Sequence, residues 1–548
     1  MSKKWTTRQL MYDLVSRQSD TFTTMETDLG RYIFDLIGQQ DYWKEHPELC
    51  GLFYGNDVLG RCIPWALRRG TTNSAVILSG HFDCVDIDCY GPLKKYALNP
   101  DKLKEEMKKK PIWQEDVLKD LEDDNWAFGR GVADMKGGHA CILCELFKCG
   151  DNKDFFPELN ILYIGVPDEE SQGRGIIQAI DLIKDIKDKY GLDYKMLLNP
   201  EPSPRFANKQ YVYTDGSVGK ALIGIVCKGR QSHVSAIAEG LNSTLLASNI
   251  ASLIDFNKEF ITDEFGIQTT PPAILYMKDC KNVYDVSTPY TTDLQIHFPL
   301  VKKNNLEDLL QALKKLCGKG IANAMAQYET TMSAIHGGNK RKGSFDIPVM
   351  TYAELEEAAR KNNPKYEEMK ATMIKEQAEV YQHSGLIQNA LGIDIMRRTI
   401  ELSGIGSPIV VIGMLPPYVP PVNNHYHKGF DREGMIATVR RAVEKEFGLS
   451  LYEKPYAMGM SDNSYISCID VESDINALQN MVTPTEYYDI PLKKIAEVSM
   501  PAILIGPWGK DFHTETERVY LPDIDTTTPF VLETIMKKLS LYAKHKNI

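Results

Sequence analysis

The sequence predicts an α/β fold in which a mostly parallel sheet flanked by helices is interrupted by an inserted α+β domain. Three observations carry this. The runs SAVILSG (74–80), LNILYIGV (159–166), YKMLLN (194–199) and PAILIG (501–506) are short, apolar and rich in branched residues, as buried parallel strands are. Helical patterns at 136–149 and 173–189 lie between them, as crossover helices do. From about residue 217 the texture changes, and it reverts near 419.

Taken in order, Trp5, Leu10 and Leu14, then Leu29, Ile33, Phe34 and Ile37, recur at helical spacing and predict two opening helices. The charge run DKLKEEMKKK (101–110) reads as a solvated helix face. Cys141 and Cys144 fall in an apolar stretch at i, i+3, which favours core packing over redox chemistry. After 217, VGKALIGIVCKGR and TTDLQIHFPL read as strands, LEDLLQALKKLCGKGIANAMAQ as a long amphipathic helix, and 352–404 as mostly helical. The Pro-rich MLPPYVPPVNN (414–424) closes the insertion, and a last helix spans about 528–545 with Thr528 as cap and Pro529 in first position. The domains expected are therefore 1–216 and 419–548 as two parts of one body, with 217–418 inserted between them.

A chain of 548 residues has room for two to four domains at roughly 150 residues each. Hydrophobic residues at 43% and charged residues at 25% exclude disorder, collagen and coiled coil as the main state. Lys plus Arg is 63 and Asp plus Glu is 74, so 63 − 74 = −11, which argues against broad binding of nucleic acid or anionic membranes. The 11 cysteines are odd in number and unpaired in spacing, which favours a reducing, cytoplasmic setting. No leader-like segment opens the chain, and no apolar run approaches the roughly 18 residues of a membrane span.

Polar motifs begin where the predicted strands stop, the place where open α/β sheets build their sites. SGHFDCVD sets His81 and Asp83 at i, i+2, an arrangement that suits a metal-binding imidazole and the acid that orients it, or else a buried, hydrogen-bonded histidine. FGRGVADMKGGHA puts Asp134 between a Gly-rich turn and a helix start. A phosphate-binding loop is rejected there because Gly137, not Ser or Thr, follows Lys136, and His139 reads as an ordinary helix residue. GVPDEESQGRG places Asp168, Glu169 and Glu170 together, a repulsive trio that a cation would relieve. LLNPEPS stiffens the chain around Glu201, and GPWGKDFHTETERV brings His513 just after PAILIG. Two histidines and three carboxylates suit a pair of divalent ions with one bridging carboxylate, zinc before cobalt or manganese.

In order, GHFDCVD, GRGVADMKGG, DEE, PEPS, KGRQSHVSAIAEGLNS, GMSDNSY and HTETERV resemble the di-zinc metallopeptidase and deacylase family of aminoacylases, glutamate carboxypeptidases and succinyl-diaminopimelate desuccinylase. The length and extra segments look most like its arginine-utilisation branch, RocB. The resemblance implies a zinc-aminopeptidase-like catalytic domain with a lid or dimerisation domain inserted. It implies one ion on His81, Asp134 and Glu201, and a second on Asp134, Glu170 and His513. Glu169 matches the general base that deprotonates a metal-bridging water, Asp83 the acid that orients His81, and His233 a lid residue that stabilises the oxyanion across a homodimer. The activity implied is hydrolysis of a small amide, such as an N-acyl amino acid or dipeptide, in amino-acid or arginine catabolism.

The pattern is departed from in places. His297 stands where many relatives carry an arginine for the substrate carboxylate, so it is the candidate substrate-binding residue, with packing as the alternative. The lid is enlarged at about 335–405, a further stretch lies near 470–498, and no proline follows His233. The competing reading, a non-catalytic binding or regulatory protein on the same fold, expects a lost ligand or base, and none is lost. A serine hydrolase finds no G-x-S-x-G.

Overall fold

A computed structural model describes residues 4–546 except 58, 111, 206–208, 303–305, 336–344, 385–387, 407 and 469. The chain forms two compact units. The first is Met1–Ser217 with Val422–Ile469 and Lys493–Ile548, and the second is Val218–Pro421 with Asp470–Leu492. Among the described residues, the two larger sheets use, in chain order, β1 (Cys50–Tyr54), β2 (Cys62–Arg68), β3 (Ser74–His81), β4 (Asn160–Val166), β5 (Asp193–Asn199), β6 (Gln210–Thr214), β7 (Gly219–Lys228), β8 (Ala273–Asp279), β9 (Thr291–Leu300), β10 (Val349–Thr351), β11 (Ile409–Val419), β12 (Ser450–Lys454) and β13 (Ala502–Leu504).

The first unit is built on an eight-stranded sheet in the order β1, β2, β4, β3, β5, β13, β6, β12. Its centre, β4, β3, β5 and β13, is parallel, as the apolar runs predict. Every residue of β3 and β4 is buried, which is why their sequences do not alternate. At one edge β2 pairs antiparallel with both β1 and β4, and at the other β6 lies antiparallel to β13.

The helix Lys136–Asp151 is buried along nearly its whole length, its Cys141 and Cys144 included. Burial pushes the Cys144 thiol up to about 12, so it packs as an apolar group. The helix Arg174–Tyr190 presents the buried stripe Ile176, Ile180, Ile183. DKLKEEMKKK contributes to the helix Pro100–Lys108, which buries Leu103 and Met107. The last helix, Thr528–Lys546, departs from expectation at its start. The chain is already helically wound over Asp523–Thr527, so Thr528 is no cap, and its hydroxyl accepts instead from Tyr211 at 3.2 Å.

The second unit has a five-stranded sheet in the order β8, β9, β7, β11, β10, antiparallel except between β10 and β11. Helices Tyr352–Asn362 and Gln388–Leu402 contribute Leu355, Ile393, Met396 and Ile400 to a core shared with Val226 of β7 and Val411 of β11. The Pro-rich segment read as a closing connection is in part a strand. β11 runs to Val419, and the ladder with β7 passes from Leu415 to Val419, skipping prolines that have no N–H to give. Asp470–Leu492 packs in this unit through Val482, whose amide donates to the Met414 carbonyl at 2.9 Å. Of the enlargement at 335–405, residues 336–344 and 385–387 lie outside the described residues. Among the described residues no helix is long and apolar enough to cross a membrane.

Candidate metal centre

The parallel strands end together, and the loops that leave them converge. His81 is the last residue of β3, Glu169 and Glu170 follow β4, and Glu201 follows β5. Asp134 sits in the turn before the helix Lys136–Asp151, and His513 lies between the short strands Gly509–Lys510 and Arg518–Tyr520. Two glycines let this happen. Gly131 adopts φ +76°, and a Cβ on Gly138 would lie 2.1 Å from the Pro200 carbonyl, so only glycine lets the helix start approach the loop that carries Glu201.

The carboxylate of Asp134 is shared. Its Oδ1 is 3.2 Å from His81 Nε2 and its Oδ2 is 3.3 Å from His513 Nε2. Glu201 Oε1 lies 3.6 Å from the same His81 nitrogen, and Glu170 Oε2 lies 3.0 Å from the same His513 nitrogen. One ligand atom each from His81, Asp134 and Glu170 falls within 4.8 Å of the others. The site therefore has two lobes hinged on one carboxylate. Glu170 Oε1 and Glu201 Oε2 are buried with no hydrogen-bond partner in the protein, and leaving anionic oxygens so is costly unless a cation takes them.

Titration behaviour points the same way. Burial works against charge on His81, yet Glu201, Asp134 and Asp83 outweigh it and hold the imidazole well above its ordinary value. Hydrogen bonds to Asp134 and Glu170 hold His513 up at about 10, and burial pushes Glu201 up to about 8. Without a metal the cluster gathers protons, positive charge that divalent ions would supply instead. Imidazole nitrogens with carboxylate oxygens are the donor set of such ions, and the residues present fit a pair of them.

Surrounding groups fix the orientation. His81 Nδ1 lies 3.1 Å from the main-chain carbonyl of Asp83, which accepts only, so Nδ1 carries the proton and Nε2 is left to bind. The Asp83 carboxylate is 3.5 Å from that ring, but its shorter contacts are elsewhere: Oδ1 accepts from the Glu169 amide and Oδ2 from the Glu170 amide, both at 3.2 Å. Glu169 is buried beside this group, and desolvation holds its carboxyl well above the ordinary value.

Some structural parts had no sequence signal. His139, read as an ordinary helix residue, is fully buried under the site: its Nδ1 donates to the His81 carbonyl at 3.1 Å and its Nε2 accepts from Tyr163 Oη at 2.6 Å. The cation that relieves the acid trio at Asp168 is Arg61, whose Nη1 reaches Asp168 Oδ1 at 2.6 Å and Glu26 Oε2 at 3.0 Å. Asp462, in GMSDNSY, is fully buried with neither oxygen hydrogen-bonded, and burial pushes it up to about 7. His233 and His297 belong to the second unit. His233 is exposed with Nδ1 2.7 Å from Ser235 Oγ, and His297 is half-buried in β9, its pKa lowered by desolvation and then by Lys220.

The family model "Peptidase family M20/M25/M40" matches residues 105–537. The chain is 31% identical over 524 residues to the uncharacterised protein YqjN of Bacillus subtilis, covering 94% of this chain and 92% of that one. It is 27% identical over 538 residues to the Bacillus subtilis protein RocB, covering 96% and 93%. A tripeptidase from Staphylococcus aureus shares the fold at 14% identity with a TM-score of 0.53, covering 99% of this chain and 100% of that one. On the family match and these full-length relatives, the chain belongs to Peptidase family M20/M25/M40, in its RocB-like branch, and is a metallohydrolase.

Proposed function

We propose that this protein hydrolyses the amide bond of a small N-acyl amino acid, dipeptide or related compound. The observation that carries the reading is the division of Asp134, whose two oxygens face two different imidazoles. His81, Asp134 and Glu201 would hold one ion, and Asp134, Glu170 and His513 the other, with zinc favoured by the nitrogen and oxygen donors. Divalent ions in such a pair supply Lewis-acid polarisation of the scissile carbonyl and acidify the attacking water.

The protein's own residues do the rest. Glu169 takes the proton from the attacking water and delivers it to the departing amine, and its raised pKa suits a group that must hold that proton in between. Asp83 keeps Glu169 and Glu170 in place through their amides. His233 is the donor assigned to the developing oxyanion. His297, kept neutral by burial and Lys220, suits a polar group of the substrate better than a carboxylate.

The second unit serves as the lid and homodimer surface. Support for the latter is the edge strand β8, which exposes Leu275, Tyr276 and Met277. The motif resemblance supports a place in amino-acid or arginine catabolism. The test is metal content together with hydrolysis of a panel of N-acyl amino acids and dipeptides, before and after chelation and metal restoration. Chelator-sensitive cleavage restored by a divalent ion is the expected result, and cleavage indifferent to chelation overturns the reading.

A further inference from the structure

We propose that the buried ion pair Arg130–Glu517 is a positioning strut that presets Asp134 and His513 for a common ion, an assignment that rests on the metal centre read above. The side chains are 2% and 0% exposed, and Arg130 Nη1 meets Glu517 Oε2 at 2.5 Å. The remaining polar atoms of the pair grip main chain, and Arg130 Nη2 also donates to Cys89 Sγ at 3.1 Å. Glu517 Oε1 accepts from the amides of Ala133 and Asp134, each at 3.3 Å. Arg130 Nη2 donates to the carbonyl of His513 at 3.2 Å, and its Nε donates to the carbonyl of Asp86 at 3.2 Å. One ion pair thus ties the backbone of a ligand in one loop to the backbone of a ligand in another.

Stability alone does not account for this choice. A buried ion pair costs so much desolvation that an apolar pair of similar volume stabilises a fold as well or better. An apolar pair cannot hold two amides and two carbonyls. His513 needs such a hold more than the other ligands do. Its side chain is 49% exposed and its backbone sits at φ +66°, so its place is set by the main chain rather than by packing around the ring. The pair also closes a loop of main-chain contact: the Gly129 amide donates to the Glu517 carbonyl at 3.0 Å, and Phe128 stands opposite Arg518 in the ladder.

The experiment is stepwise titration of the full-length, metal-free protein with Co2+, followed by visible absorption, for the wild type, Glu517→Gln, the double variant Arg130→Met, Glu517→Leu, and His513→Ala as the reference for loss of that ligand. The double variant replaces both charges and guards against a simple loss of folding, which the thermal melt of the metal-free protein reports. Cobalt binding weakened by about 10- to 100-fold, with an altered ligand-field spectrum and in the same step that His513→Ala weakens, is the expected result. Wild-type affinity and spectrum in both variants overturns the strut while leaving the centre intact. A wild type that takes up no cobalt overturns the centre and the strut together.

Discussion

His139 donates its Nδ1 proton to the main-chain carbonyl of His81, 3.1 Å away, and so supports the last residue of β3 from beneath. Desolvation holds His139 down at about 3, well under its ordinary 6.5. The unfolded chain therefore takes up a proton here as pH falls through about 6.5 while the folded chain does not. The stability this neutral histidine contributes is present above about 6.5 and is lost progressively as pH falls towards 3. Between pH 7 and 5 the loss is about 2 kcal/mol. His139→Gln keeps a donor but does not titrate, so denaturant unfolding of the metal-free variant should lose about 2 kcal/mol less than the wild type over that range. Parallel pH dependence in the two proteins would show that His139 is not held neutral.

Asp83 grips both acids that follow β4, since each oxygen accepts one amide, from Glu169 and from Glu170. Asp83→Ala strands one buried and one part-buried amide and frees the loop. The expected cost is about 2–6 kcal/mol of stability, at about 1–3 kcal/mol per orphaned donor, and a fall in kcat of about 100-fold with metal restored. Asp83→Asn keeps one acceptor and should lie between. Equal kcat for Asp83→Ala and the wild type contradicts the positioning role.

Glu169 is not among the groups that face the two imidazoles, and that separates its role from theirs. Glu169→Gln should retain fold and metal stoichiometry while kcat falls by about 10²- to 10⁴-fold, the range for loss of a general base. Undiminished turnover moves the base elsewhere, and Asp462, buried with no hydrogen-bond partner in the protein, is then the next residue to change.

Legibility in the sequence followed the range of the interaction. The parallel centre was readable because SAVILSG and LNILYIGV are buried on every residue, which leaves an unbroken apolar signature. Strand β2, one in from the edge, was not, because Pro64 and Arg68 break its apolar run, although Arg68 is buried and spends its guanidinium on the carbonyls of Cys149, Phe156 and Leu159. His81, Asp134, Glu170, Glu201 and His513 stood out because each is a polar residue at a strand or turn end. The groups that hold them did not, because their pairing is long-range: Arg61 lies 107 residues from Asp168, and Arg130 lies 387 from Glu517. The prolines of β11 hid a strand because the rule they obey concerns which N–H groups the ladder needs, and chain order does not disclose that.

Whether one carboxylate serves two ions is tested most directly by counting metal per chain in the wild type and in Asp134→Ala after reconstitution with Zn2+ and removal of excess. The donor sets on either side of Asp134 predict about two ions per chain in the wild type and loss of both in the variant. A wild type that holds a single ion, or an Asp134→Ala variant that keeps the wild-type complement, contradicts a shared carboxylate.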